Sequence, residues 1–468
     1  MVAMHGDDDP AGRWLAPFLG GVVAGGAALL LAQAAYSRRR GFDHRLLRTT
    51  GLEDIPPVVV VPGILGSELL RPDGTPVWLN VRNALGHYDL SLPFDRPIAE
   101  CRDDLIPGGL LGTAAVLPRL FGFTEYADLL DLLEEAGFEM LDGMPGRARP
   151  GLEGHGYHVF SYDWRRDLVE SARRLHDSLE ELADRRRDPD ARFNVIGHSM
   201  GGLVARYYLR YGPAEPADDA PVTWAGARRI QNLVLVAVPS GGGIPALEGI
   251  LCGNRVGLSA TTLAAPVVAC MPSVYELLPP HGAAGLLDHR GGPLAADLHD
   301  PATWERFGWG PYAPAARKGN EATAHHRSFL DAVLCRAAAF HRSLARPPAE
   351  PCPCRVVVLG GDCLPTLARA VVPEKRGAIP RFEPRTRAES DAMFDAGDGR
   401  ATRASVLAAH MPHADESDHG CGIPEVTLVF FGAADHHGIY DEPTFQSILL
   451  RLLLRPRLRR RVVQRLPA

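Results

Sequence analysis

Lysine is nearly missing from this chain. Of its 50 lysines and arginines, only Lys318 and Lys375 are lysines. The formal net charge is -6. No overall positive excess is there to hold nucleic acid, and that class of partner is set aside. Eight cysteines in 468 residues are too few for a disulfide scaffold. No internal repeat is seen. What is present is ordinary globular composition, 46% hydrophobic and 23% charged, and neither a disordered nor a collagen-like chain reads this way. The length suits one large domain with insertions or two smaller ones.

One long uncharged run stands out, Trp14 to Tyr36. As a helix it would reach roughly 35 Å, enough to cross a bilayer. An aromatic residue marks each end, as at membrane interfaces. Asp7, Asp8 and Asp9 precede it, where a secretory signal would be basic. The expectation is a transmembrane anchor at 14–36, after a tail at 1–13 and before a linker at 37–54. Arg38, Arg39, Arg40, Arg45 and Arg48 follow the run and only Arg13 precedes it. The positive-inside rule then puts the main domain in the cytoplasm. Gly21 and Gly25 form a GxxxG pair, a homodimer face on the anchor, although in a segment this rich in glycine the spacing alone is weak evidence.

Beyond the linker, short apolar runs alternate with helical patterns. Val58–Val61, Tyr157–Tyr162, Phe193–Ile196, Leu233–Val238, Val356–Leu359 and Thr427–Phe431 read as strands. Tyr126–Ala136, Asp167–Arg186 and Leu203–Leu209 read as helices. Strands separated by helices imply βαβ units and a mostly parallel sheet. Residues 240–350 break the rhythm and read as a helical cap within a catalytic domain spanning 55–450. The tail 451–468 begins Arg451 to Arg465, with seven arginines among leucines and valines. It reads equally as a membrane-surface segment and as a solvated end.

The sharpest chemical signal is Gly197-His198-Ser199-Met200-Gly201, a G-x-S-x-G sequence between an apolar strand and a helix. That context makes it a nucleophile elbow, a turn so tight that only small residues fit two positions either side of the serine. Ser199 is the candidate nucleophile. Serine needs a general base, and the base needs an orienting carboxylate. With such an elbow the chain order is serine, acid, histidine. Downstream, Asp398 in Gly397-Asp398-Gly399 is the candidate acid and His436 in Asp435-His436-His437 the candidate base. Asp395 and His437 remain the alternatives. The oxyanion formed on attack needs backbone N–H donors. Met200 should supply one and Ile64 the other, from the loop Val61-Pro62-Gly63-Ile64-Leu65-Gly66-Ser67.

These residues resemble the lecithin:cholesterol acyltransferase family, which includes lysosomal phospholipase A2 and phospholipid:diacylglycerol acyltransferase. The likeness runs from the early loop through Tyr162-Asp163-Trp164-Arg165, the elbow, Val238-Pro239-Ser240-Gly241-Gly242, Pro272-Ser273 with Leu277-Leu278-Pro279, and Gly397-Asp398-Gly399 to the His436 region. It departs at Arg400-Ala401, where the family shows Thr-Val, and at Ile64, where it shows a polar residue or cysteine. The resemblance implies an α/β-hydrolase with a helical cap, acting on membrane phospholipid or another lipid ester. Ser199 would take an acyl chain and pass it to an alcohol or to water, with Asp398 and His436 completing a triad and no cofactor. A plain carboxylesterase or lipase is the near alternative, and a catalytically silent binding protein on the same fold the distant one. Asp163 and Arg165 read either as head-group ligands or as a buried structural pair. His410, His413, Asp415, Asp418, His419 and Cys421 cluster in sequence but match no tight zinc spacing, and no metal is expected. Cys352-Pro353-Cys354 reads as reduced and inert.

Overall fold

Four consecutive valines, Val58–Val61, form the first strand, β1, and all four are buried. Strands covered on both faces read as unbroken apolar runs. The strands at the centre of the sheet are buried in the same way, while the edge strands Glu139–Met140 and Val426–Gly432 are exposed or half-buried. A computed structural model describes residues 55–454, apart from 79–88, 112–124, 142–155, 218, 257–258, 284, 315–319, 412 and 418–419. The later strands of the main sheet are β2 (Glu139–Met140), β3 (Gly156–Val159), β4 (Phe193–His198), β5 (Ile230–Val236), β6 (Arg355–Gly361) and β7 (Val426–Gly432). Their order is β2-β3-β1-β4-β5-β6-β7, and every neighbouring pair is parallel. Parallel neighbours need crossovers, which the helices supply.

The helices that frame the site are α1 (Glu125–Glu135), α2 (Leu168–Arg185), α3 (Met200–Tyr211), α4 (Ile244–Cys252), α5 (Asn320–Ala345) and α6 (Pro443–Leu454). The α2 helix starts where the Asp167 side chain accepts from the Glu170 N–H, and it buries Leu168, Ala172, Leu175, Leu179 and Leu182 on one stripe. All twelve residues of α3 are buried, Arg206 and Arg210 included. Between β5 and β6 lie α4, the short helices Ala265–Val268, Pro272–Tyr275 and Pro301–Phe307, and the long α5. The Tyr211 hydroxyl donates to the Ser343 carbonyl at 2.8 Å, docking the end of α5 on α3.

Three features differ from the sequence-based expectation. An antiparallel three-stranded sheet, Ser67–Leu70, Pro76–Trp78 and Ile106–Leu110, follows the early loop. A second antiparallel pair joins Leu364–Leu367 to Phe394–Gly397 and delivers the chain to Asp398. The strand expected at Tyr157–Tyr162 ends at Val159, because Tyr162 and Trp164 turn to bond the loop after β1.

The anchor expected at 14–36, its Gly21/Gly25 pair and the tail beyond Leu454 lie outside the described residues. Among the described residues no helix is long and apolar enough to cross a membrane. The described residues form one compact unit.

Candidate active site

The chain turns from β4 into α3 at Ser199, with φ 50° and ψ -128°. Positive φ at a residue with a Cβ is strained, by about 1–3 kcal/mol, and persists only where surroundings impose it. Here the Ser199 N–H donates to the Val236 carbonyl at 2.8 Å, tying the turn to β5. The neighbouring glycines leave no room for anything larger. A Cβ on Gly197 would lie 2.6 Å from Gly202 Cα, one on Gly201 would lie 2.2 Å from the Pro62 carbonyl oxygen, and one on Gly202 would lie 2.1 Å from Val238 Cγ2.

The structure brings Asp398 and His436 together. His436 Nδ1 lies 2.8 Å from Asp398 Oδ2. The other carboxylate oxygen accepts from the Arg400 and Ala401 N–H groups at 2.9 and 2.7 Å. The His436 N–H donates to the Asp398 carbonyl at 2.8 Å, so backbone and side chain are both joined. With Nδ1–H given to the carboxylate, His436 keeps its lone pair on Nε2. Asp398 is 1% exposed and His436 6%. Gly361, at the end of β6, makes room for both: a Cβ there would meet the Ala434 carbonyl oxygen at 2.0 Å and Asp398 Cβ at 3.1 Å.

The alternatives sit elsewhere. Asp395 pairs with Arg369 at 2.8 Å with its side chain 39% exposed. The His437 ring stands edge-on to His436, 5.5 Å between centroids, and opens a short 3-10 turn. Ser199 and His436 are not directly hydrogen-bonded. His198, the residue before Ser199, has its ring 5.0 Å from that of His436.

The early loop is held from outside through its carbonyls. The Tyr162 hydroxyl donates to the Pro62 carbonyl at 2.9 Å, Trp78 Nε1 to Leu65 at 3.0 Å, and Trp164 Nε1 to Ser67 at 3.1 Å. The Gly66 N–H closes a turn on the Gly63 carbonyl at 3.2 Å, and Leu65 holds φ 65° inside it. A Cβ on Gly63 would lie 2.9 Å from Ser199 Cβ, so the loop rests on the serine. Among the described residues no hydrogen bond engages the N–H of Ile64 or of Met200.

The Tyr162–Arg165 motif is structural. Arg165 is fully buried and forks onto Asp163 at 2.9 and 2.8 Å and onto Asp103 at 2.7 and 2.8 Å. Asp103, 62 residues away, carried no sequence signal. Nor did Tyr126, which contacts His198. The Cys352 and Cys354 sulfurs are 3.5 Å apart and unbridged. Among the described residues no three histidine, cysteine or acidic groups are arranged to hold a metal, and Asp418 and His419 lie outside that set.

A mostly parallel sheet, a strained serine between strand and helix, an acid that follows the strand Phe394–Gly397 and a histidine on the loop after β7 define an α/β-hydrolase fold. More narrowly, residues 151–303 match the lecithin:cholesterol acyltransferase family, the one that the motifs resemble. The matched span holds Tyr162–Arg165 and the elbow, and it ends before Asp398 and His436.

Uncharacterized protein YJR098C of Saccharomyces cerevisiae is 26% identical over 282 residues, 58% of this chain and 36% of that protein. The chain thus spans about a third of that relative's length. A chain in the crystal structure of the Tle4–Tli4 complex shares 15% identity at a TM-score of 0.48, covering 86% of this chain and 99% of that one. Bacillus licheniformis lipase BlEst2 shares 11% at 0.34, covering 86% and 93%. Neither structural likeness is close enough to bear on the reaction.

Proposed function

We propose that this protein is a serine acyl hydrolase or O-acyltransferase acting on lipid esters. The observation that carries the reading is the 2.8 Å Asp398–His436 bond together with a strained elbow serine whose chain neighbour His198 lies 5.0 Å, ring to ring, from His436. In the proposed reaction Ser199 Oγ attacks the ester carbonyl carbon while His436 Nε2 takes the hydroxyl proton. Asp398 holds the imidazole in that tautomer and stabilises the imidazolium. The N–H groups of Ile64 and Met200 receive the oxyanion. Collapse of the tetrahedral intermediate breaks the ester C–O bond, and His436 returns the proton to the departing alkoxide. The acyl-enzyme then passes its chain to a second alcohol, or to water, by the same steps reversed. The lipid character of the substrate is supported by the family match.

A fluorophosphonate probe should label the folded protein at Ser199. Incubation with phospholipid, with and without an added lipid alcohol, should release lysophospholipid. A new ester formed in the presence of the alcohol marks a transferase; free fatty acid in both arms marks a simple lipase. Folded protein that neither labels nor turns over any ester would leave only the silent binding module.

The uncharged stretch at 14–36 and the arginines after it support a single-pass anchor with the domain on the cytoplasmic side. The anchor would hold the site near insoluble substrate, raising effective concentration without new contacts. Protease added outside intact cells should spare the domain; digestion of the domain there would reverse the orientation.

A further inference from the structure

The elbow residue before the nucleophile is a histidine, and a histidine buried beside another imidazole asks for a reason. His198 is 2% exposed. Its Nδ1 lies 2.8 Å from the Tyr126 hydroxyl oxygen, and its Nε2 lies 3.3 Å from the His436 carbonyl oxygen. The same Tyr126 oxygen accepts from the Gly63 N–H at 2.7 Å. The rings of Tyr126 and His198 meet edge to face, 5.4 Å between centroids.

The proton positions follow from chemistry. The His436 carbonyl can only accept, so His198 Nε2 carries a hydrogen. Burial first, then the nearby His436 and His437, push the His198 pKa well below its ordinary value. The ring is therefore neutral, and Nδ1 is left as an acceptor. Tyr126, already receiving the Gly63 N–H, donates its one proton there. The chain of bonds runs one way: Gly63 N–H to Tyr126 O–H to His198 Nδ1, then His198 Nε2–H to the His436 carbonyl.

We infer that Tyr126 and His198 form a positioning relay that sets the oxyanion loop and the histidine loop in one register around Ser199. The inference rests on the proposed serine chemistry and adds residues to it. One end of the relay grips the amide directly before Ile64, which takes the Gly63 N–H out of use and leaves the next N–H to face the oxyanion. The other end grips the backbone of the base itself. Neither relay residue touches the reacting atoms. A shift of about 1 Å in either loop suffices to cost roughly 10²-fold in rate.

Tyr126→Phe removes one oxygen and keeps the ring. It should retain the wild-type circular dichroism spectrum, keep KM for a soluble ester within about twofold, and lose roughly 10²-fold in kcat and in the fluorophosphonate labelling rate. Two isosteres separate the arms. His198→Asn offers an acceptor near the Nδ1 position and keeps the link to Tyr126. His198→Gln offers a donor near Nε2 and keeps the link to His436. Each should fall between wild type and Tyr126→Phe.

Imidazole nitrogen NMR supplies a readout apart from rate. The signals absent from His198→Asn should belong, in the wild type, to a ring protonated on Nε2 alone, and Tyr126→Phe should disturb that pattern. Wild-type labelling and kcat in folded Tyr126→Phe would overturn the relay and leave the Ser199 reading standing. Folded wild-type protein that does not label would overturn both. Should Tyr126→Phe fail to fold, wild-type rates in both His198 variants would overturn the relay instead.

Discussion

Ser199→Ala is expected to lower ester turnover by about 10⁴-fold or more, because the remaining imidazole and carboxylate have no oxygen to activate. The change removes one atom at the start of a buried helix, so the protein should stay soluble and folded. Asp398→Asn is expected to cost a similar amount, about 10⁴-fold, by allowing His436 the wrong tautomer. Asp395→Asn is the matched control. It should leave turnover within about twofold, since that carboxylate pairs with Arg369 on a partly exposed strand. The measurement is kcat on a soluble ester, with circular dichroism as the check on folding. Turnover surviving in Ser199→Ala would remove the nucleophile from the scheme, and a large loss in Asp395→Asn alone would move the acid.

The second large effect concerns the scaffold. Glu425 should be irreplaceable by alanine without marked loss of stability. Its carboxylate accepts from Arg206 Nε at 2.7 Å and Arg210 Nη1 at 2.8 Å, and all three side chains are fully buried. Burial alone would push the Glu425 carboxyl up, but the two guanidinium groups hold it below its ordinary value. Arg206 also donates to the Leu344 carbonyl at 2.8 Å and Arg210 to that of Arg346, so the cluster joins α3 to the end of α5 and the chain leading into β7. Glu425→Ala strands two buried cations, at a cost of about 3–5 kcal/mol. Chemical denaturation should show the midpoint falling with little change in slope. Replacing all three residues by apolar ones of similar volume should recover much of the loss, since the ions are costly to bury at all. An unchanged midpoint in Glu425→Ala would show that the cluster carries no weight.

That cluster also marks where reading the sequence stops. Arg206 and Arg210 sit one turn apart on a helix and would ordinarily signal a solvated face. Their partner lies 219 and 215 residues away, beyond any local pattern. Asp103 is hidden from Arg165 for the same reason. By contrast, β1, β5 and β6 are legible, because parallel strands covered on both faces show as β-branched runs. The elbow is legible because its glycines answer to steric limits within a few residues. The antiparallel sheet after the early loop is not legible: its strand Ile106–Leu110 reads Ile-Pro-Gly-Gly-Leu, which looks like a turn. Asp398 could be named from its Gly-Asp-Gly setting, but its separation from Asp395 needed coordinates. His198 occupies the variable position of the elbow pattern, where nothing local marks it, and the contacts of its two ring nitrogens give it a task.

The order of parts along the chain has a temporal consequence. A ribosome builds from the amino end at roughly 5–20 residues per second. The serine therefore emerges well before Asp398, and His436 follows only after the last sheet strand, β7. For tens of seconds each nascent polypeptide would carry the proposed nucleophile, Ser199, without its proposed base. On the proposed chemistry, no ester can be cleaved until β7 and the His436 loop behind it have been made.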